Sequence, residues 1–350
     1  MNKLTKVGLS ALCGSLATIS SANAGDLTVT GGVDMTWASM HESQTGNPIG
    51  IGSNLTFKGS GELDNGWTFD MTVANTNASV YSAAVVDIGM GGLGNLMINQ
   101  GDGNGLGAYD DKMPTAWEES WGNGLGTGVR TVGGVGSSMN IQYSTPTVLG
   151  ISIVAAYAPS VGVSDTADKG YDGTSKALGK GIDAIININP SLGTEILSGL
   201  NLYVGGSHQE AQATNATYDR DVANGVAGIT YDIGPISLGY AVAGELTGYE
   251  QGAGQSNTAQ EAYKSSMYGV AFNVNDNLSI SHSMYDTRKE GYKQSAAPVE
   301  GERFVEVVST QIAYTMGGAS IRLAKTEGTN IDFSNANNKD ATILSVGLAF

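Results

Sequence analysis

Between Gln100 and Arg130 the sequence gathers Asp102, Asp110, Asp111, Glu118 and Glu119 against one lysine, Lys112, together with Trp117 and Trp121, two of the four tryptophans. Carboxylates with so few bases beside them make a negative field, which concentrates cations and orients dipolar solutes. Asp102, Asp110 and Asp111 also supply the hard oxygen ligands that calcium takes, but their spacing fits no EF-hand loop, so a calcium site is the secondary reading. The stretch does not alternate apolar and polar residues as its flanks do. A run of roughly 30 residues without regular structure is uncommon in a compact domain and is usually functional or disordered. The tryptophans point to a loop packed on a surface, because such rings are scarce in chains that stay unfolded.

No enzymatic constellation accompanies these acids. Gly89–Gly94 satisfies G-x-G-x-x-G, yet it lies between two strand-like segments with no helix after it to receive a phosphate. G-x-S-x-G and H-E-x-x-H are absent. His41 and His208 fall in or beside loops, while His282 falls on an apolar strand face with Ser281 and Ser283 pointing to the other. The expectation is a protein that is not an enzyme and takes no cofactor.

The first residues address the compartment. A basic start, Met1–Lys6, precedes a short apolar segment, Val7–Ile19, and a small-x-small site at Ala22–Ala24. This pattern reads as a cleaved secretory signal over residues 1–24, too short to span a bilayer as a helix. Cys13 lies within it, so residues 25–350, read as one domain, contain no thiol for a disulfide or a zinc site. Removing Lys3 and Lys6 leaves 15 bases against 33 acids, a net charge of −18. Nucleic acid is thereby a poor partner, since it needs basic patches. Gly at 51 of 350 with only 7 Pro suits closely packed, curved strands rather than collagen or a disordered linker.

Periodicity identifies those strands. Leu27, Val29, Val33, Met35 and Trp37 alternate with Thr28, Thr30, Asp34 and Thr36, and the same period of two recurs to Thr342–Phe350. Sixteen such segments of about ten residues can be counted, the length of a tilted membrane-spanning strand. Weak segments around 80–100 and 190–200 leave fourteen or eighteen open. Short turns near 64, 91, 147, 194, 234, 276 and 317 alternate with long polar loops at 38–49, 76–82, 101–136, 160–179, 209–221, 248–262, 287–302 and 327–339. Short turns on one side and long loops on the other are the habit of outer-membrane barrels. The fold expected is thus all-β, a transmembrane antiparallel β-barrel in an outer membrane, its outer face against lipid. Two alternatives are a secreted soluble β-sandwich that binds a ligand, and a non-conducting barrel with adhesive loops.

The leader, the strand count, the longest loop after the fifth strand and the terminal Phe350 together resemble the general diffusion porins of Gram-negative outer membranes, over essentially the whole mature chain. Tyr109-Asp-Asp-Lys-Met-Pro-Thr-Ala-Trp117 resembles the family's constriction loop, and Arg130-Thr-Val-Gly-Gly-Val135 resembles its entry into the sixth strand. Thr115 departs from the motif, which has Glu there. The resemblance implies a water-filled channel for passive diffusion of ions and small hydrophilic solutes, with a loop of about 101–129 folded into the lumen. It also implies a homotrimer, and a final strand ending in Phe350 that the barrel-assembly machinery reads.

Strand parity then places side chains. With apolar residues toward lipid, Lys58, Arg322, Asp34, Asp70 and Asp183 point inward, as does Arg130 if it keeps the parity of Asn140 and Gln142. Lys or Arg facing lipid at mid-barrel costs about 2–4 kcal/mol, which enforces that parity. The expected constriction sets Asp110, Asp111, Glu118 and Glu119 opposite Lys58, Arg130 and Arg322, and prefers cations. Trp117 and Trp121 are expected to anchor the loop. Asp34, Asp70 and Asp183 are expected mainly to solvate the lumen.

Overall fold

The structure, a computed structural model, describes residues 27–40, 47–77, 82–120, 125–162, 178–190, 197–211, 220–248, 262–290 and 302–349. Its strands are β1 Leu27–Met40, β2 Ile49–Glu62, β3 Thr68–Thr76, β4 Ala83–Gly89, β5 Asn95–Gln100, β6 Asn140–Ser144, β7 Ile151–Ala158 and β8 Gly181–Ile188. They continue as β9 Leu200–Gln209, β10 Val222–Ile233, β11 Ile236–Leu246, β12 Ala262–Asn273, β13 Leu278–Glu290, β14 Phe304–Met316, β15 Ala319–Thr329 and β16 Lys339–Ala349. Each pairs antiparallel with its sequence neighbours, and β1 closes the ring on β16 from Gly32↔Ala349 to Met40↔Ala341. All sixteen expected segments are strands, which excludes the sandwich. The leader, Trp121 and Phe350 lie outside the described residues.

The short turns follow local chemistry. At 63–66 the Gly66 amide donates to the Leu63 carbonyl at 2.8 Å with Gly66 at φ +80°, a backbone that side chains other than hydrogen rarely allow. At 275–278 the Asn275 side chain accepts from the Asn277 and Leu278 amides, a turn that mimics backbone.

Leu27, Met35, Trp37, Ile51, Phe57, Ile153, Ile182, Leu238, Tyr268, Ile312 and Leu344 all stand exposed on the outer face. Apolar side chains exposed around a whole ring have water as the wrong solvent. On β1 to β11 the outward residues stay apolar or small along most of each strand. On β12 to β16 they do so only toward the short turns. Farther up, outward positions hold Lys264, Asp286, Arg288, Glu306, Lys325 and Glu327. One row in direct register, His282↔Thr310↔Lys325↔Thr342↔Ser39, is polar across five strands, and His282 Nδ1 lies 3.0 Å from Thr310 Oγ1.

These charges explain where the expected boundaries fell short. The loop expected at 287–302 begins only after Glu290, and that at 327–339 only after Thr329. Hydrogen-bonded pairing persists there while the hydrophobic alternation has stopped.

The largest buried apolar cluster lies between the 101–139 loop and the inner wall. Leu106, Met113 and Val132 of the loop pack on Ile185, Tyr203, Val226, Ala241, Ala243, Met267 and Tyr285. Burial of each loop side chain contributes about 1.5–3 kcal/mol, enough to hold a segment with little regular structure of its own.

Candidate functional site

The loop after β5 lies inside the barrel as a flattened hairpin along the wall. Its start is sealed by a reciprocal amide pair, Asn104 to Asn140 at 2.7 Å and Asn140 to Asn104 at 2.8 Å. A short 3-10 turn, Gly105–Tyr109, follows, and the Tyr109 hydroxyl donates to Asn187 at 2.8 Å. Pro114 sits against Gly239 of β11 and Gly269 of β12, paired glycines where a Cβ would strike the proline. Farther along, the Ala116 amide donates to Ser281 at 2.8 Å, and Ser120 lies 2.7 Å from Ser283. Gln311 grips the backbone twice. Its Oε1 accepts from the Trp117 and Glu118 amides at 3.0 and 3.1 Å, and its Nε2 donates to the Glu118 carbonyl at 2.5 Å.

The returning limb meets the same strands nearer the long-loop end. The Asp332 amide donates to the Thr127 carbonyl at 3.0 Å, the Arg130 amide to Thr287 at 3.1 Å, and Gln209 to the Gly134 carbonyl at 2.9 Å. Both limbs converge on Asp183 of β8, whose carboxylate is wholly buried. It accepts from the Leu106 amide at 2.7 Å and from the Val135 amide at 3.0 Å. The loop thus covers the wall from β5 round to β16, reaches Ala38 and Met40 at the end of β1, and leaves most of β1 to β4 uncovered. Against that free side lies a cavity of about 690 Å³ whose lining includes Thr30, Asp34, Asn54, Thr56, Ser320 and Arg322.

The expected basic residues are spread out, and each already faces an acid. Lys58 lies 3.6 Å from Asp70 on the bare wall, and Arg322 is paired with Asp34. Arg130 differs from expectation. It belongs to the returning limb and not to the wall at β6, which begins only at Asn140. There its guanidinium lies 4.0 Å from Glu245 and 5.1 Å from the Tyr263 ring centre. Trp117 stacks under Arg322 at 5.1 Å and packs beside Leu125, Ala341 and Ile343. Asp183, expected to solvate the lumen, is instead the joint of the loop. Asp102 accepts from the Gly103 amide at the loop's start. Among the described residues no three acidic or histidine side chains converge to hold a metal ion, so the calcium arrangement at Asp102, Asp110 and Asp111 is not formed.

The loop acids crowd one another. Asp110 is raised to about 6, first by burial and then by repulsion from Asp111 and Glu119. Burial, then the neighbouring Glu119 charge, also raises Glu118; burial leads again for Glu119, with Asp111 adding repulsion. A carboxyl whose folded pKa is raised holds its proton more tightly when folded. Its ionisation therefore withdraws stability as pH rises from the unfolded value of ~3.9 through about 6. Asp110→Asn is accordingly expected to raise the melting temperature at pH 7.5 and leave it unchanged at pH 4. Equal shifts at both pH values would show that Asp110 is not strained by its charge.

Gln311, Thr287, Glu245 and the Gly239–Gly269 seat carry much of this geometry and are not singled out by the sequence, whereas Ser281 and Ser283 are placed inward there without a role. Their common signal is polar or small side chains at inward parity on β11 to β14.

No family model and no curated protein matches the chain. Solved structures do. OmpF of Salmonella typhi in complex with daunomycin aligns at 12% identity and TM-score 0.66, over 93% of this chain and 98% of that one. An anion-selective porin from Comamonas acidovorans aligns at 13% identity and TM-score 0.61, over 93% and 100%. In-vitro folded OmpT of Vibrio cholerae, an outer membrane protein in its trimer form, aligns at 9% and 0.61, over 94% and 100%. The class defined by closed ring, strand count and connectivity is the sixteen-stranded porin fold, and this chain has it.

Proposed function

We propose that this chain is an outer-membrane porin that passes ions and small hydrophilic solutes by passive diffusion and prefers cations. In this reading residues 1–24 are the removed leader, residues 25–350 form the barrel, and the outer face meets membrane lipid. The strand ending in Phe350 is the segment the assembly machinery recognises, and the working unit is a homotrimer, as in the trimer form of the Vibrio protein with this fold.

The observation that supports the sign of selectivity is the pairing of the three bases expected at the constriction. Lys58, Arg322 and Arg130 each stand beside an acid, Asp70, Asp34 and Glu245. Arg322 also acts on Glu118, but Lys58 and Arg130 are poorly placed to offset Asp110, Asp111 and Glu119, whose limb of the loop has only Lys112. A neighbour in fold is anion-selective, so the sign has to come from this chain's own residues. Planar-bilayer reversal potentials under a potassium chloride gradient test the proposal. Potassium should be favoured, and more so in dilute salt, where the screening length grows from about 8 Å toward 30 Å. A preference for chloride would overturn the selectivity reading. Insertion without any conductance would favour the adhesive, non-conducting barrel instead.

A further inference from the structure

The inner wall has a notch beside its closing seam. Gly347 of β16 faces the lumen in register with Asp34 of β1 on one side and Ser320 of β15 on the other. A Cβ at Gly347 would lie 2.6 Å from both Arg322 Nη2 and Asp34 Oδ1, and 2.7 Å from Ser320 Oγ. All three are ends of side chains, so the absent methyl is what lets them lie close against the backbone of β16. Arg322 starts on β15 and reaches Asp34 only by crossing that strand, donating to Ser345 at 3.0 Å on the way.

From the loop side the Trp117 ring centre lies 5.1 Å from the guanidinium carbon. The cation is therefore enclosed between a bare stretch of strand and an indole, and its Nε is buried with no hydrogen-bond partner. The two members of the ion pair are shown unequally: the Arg322 side chain is 18% exposed and that of Asp34 51%. Both border the open cavity on the free side of the loop. Both also act on Glu118, Arg322 favouring its charge and Asp34 opposing it. A pair shown equally would offer passing ions a dipole of no net sign. This one offers mainly its carboxylate, because a charge near the ion counts for more than one set back and covered.

We propose that Gly347 and Trp117, both uncharged, are specificity-determining residues of the channel. Together they hold the Arg322 guanidinium in a slot, so that ions passing the seam meet the carboxylate of Asp34. The slot selects ions only if the barrel conducts as proposed above, and its enclosure can be read with or without a current.

Gly347→Ala pushes the pair off the wall, and Trp117→Leu removes the aromatic lid while keeping an apolar contact for the loop. Each should lower the potassium-to-chloride ratio from planar-bilayer reversal potentials by roughly two- to fivefold, up to the effect of a unit charge about 4 Å away in water. In an Arg322→Gln background neither substitution should shift the ratio, because no cation is left to uncover. Equal shifts in both backgrounds would mean a general disturbance of the loop and would overturn the slot. Phenylglyoxal, an arginine reagent, reads the enclosure on the full mature protein in detergent. Modification of Arg322, followed by peptide mass spectrometry, should be about two- to fivefold faster in Gly347→Ala and Trp117→Leu than in the parent, the worth of one cation–π contact. Equal rates would also overturn the slot. A chloride-preferring parent whose variants shift further toward chloride would sink the cation reading and leave the slot standing. A potassium-preferring parent with unmoved variants would do the reverse. A barrel that carries no current would remove the role in selection even if Arg322 reacts faster in the variants.

Discussion

Replacing Asp183 with alanine is expected to free both limbs of the internal loop at once. One carboxylate accepts from Leu106 on the outgoing limb and Val135 on the returning limb, at 2.7 and 3.0 Å. Close approach is possible because glycine stands at Gly105 and Gly134, where a Cβ would collide with the Asp183 oxygens. Hydrogen bonds to a charged acceptor contribute about 1.5–3 kcal/mol each, and truncation also leaves buried amides unmet. Allowing for relaxation, local stability should fall by roughly 3 kcal/mol, which is on the order of a hundredfold in the detached population. Hydrogen exchange at the Leu106 and Val135 amides should quicken by that factor, while amides of β13 to β15 change little. Unaltered exchange at those two amides would mean that the apolar seat of Leu106 and Met113 alone holds the loop.

Neutralising Glu118 and Glu119 together should reduce the preference for potassium over chloride about three- to tenfold, since a unit charge a few ångströms from a hydrated ion is worth about 1 kcal/mol in water. The backbone should not move in the Gln pair, because Gln311 holds Trp117 and Glu118 through main-chain atoms and not through the carboxylates. The two effects can then be told apart: Asp183→Ala alters the position of the loop, and Glu118→Gln/Glu119→Gln alters its charge. If reversal potentials of the double variant equal those of the parent, the acids do not face the permeating ion and the loop is a scaffold.

Strand number and facing were legible because the outer face takes apolar residues at every second position, as at Leu27 to Trp37. Their upper ends were not, because Asp286, Arg288, Lys325 and Glu327 face outward and break the hydrophobic rhythm while the ladder continues. The loop was legible as an anomaly of composition. Its attachment was not. Parity turns Asp183 inward, but nothing local to β8 reveals that two amides from 77 and 48 residues away will meet it. Arg130 misled because Gly133-Gly134 resembles a strand entry, whereas those glycines let the returning limb pass close to Asn224 and Asp183.

The outer face has unequal height. On β2 to β11 apolar side chains run most of the strand, but on β13 to β16 and at the end of β1 they give way at the row from His282 to Ser39, and β12 turns polar above Tyr268. If the barrel sits in an outer membrane as proposed above, a bilayer of uniform thickness cannot match both sides of such a cylinder. Either the axis leans until the short apolar side and the tall one are both covered, or the neighbouring lipids compress along one flank, each at a cost of fractions of a kcal/mol per ångström of mismatch. On that proposal the wall itself would set a preferred slant, and with it a direction in the plane of the membrane.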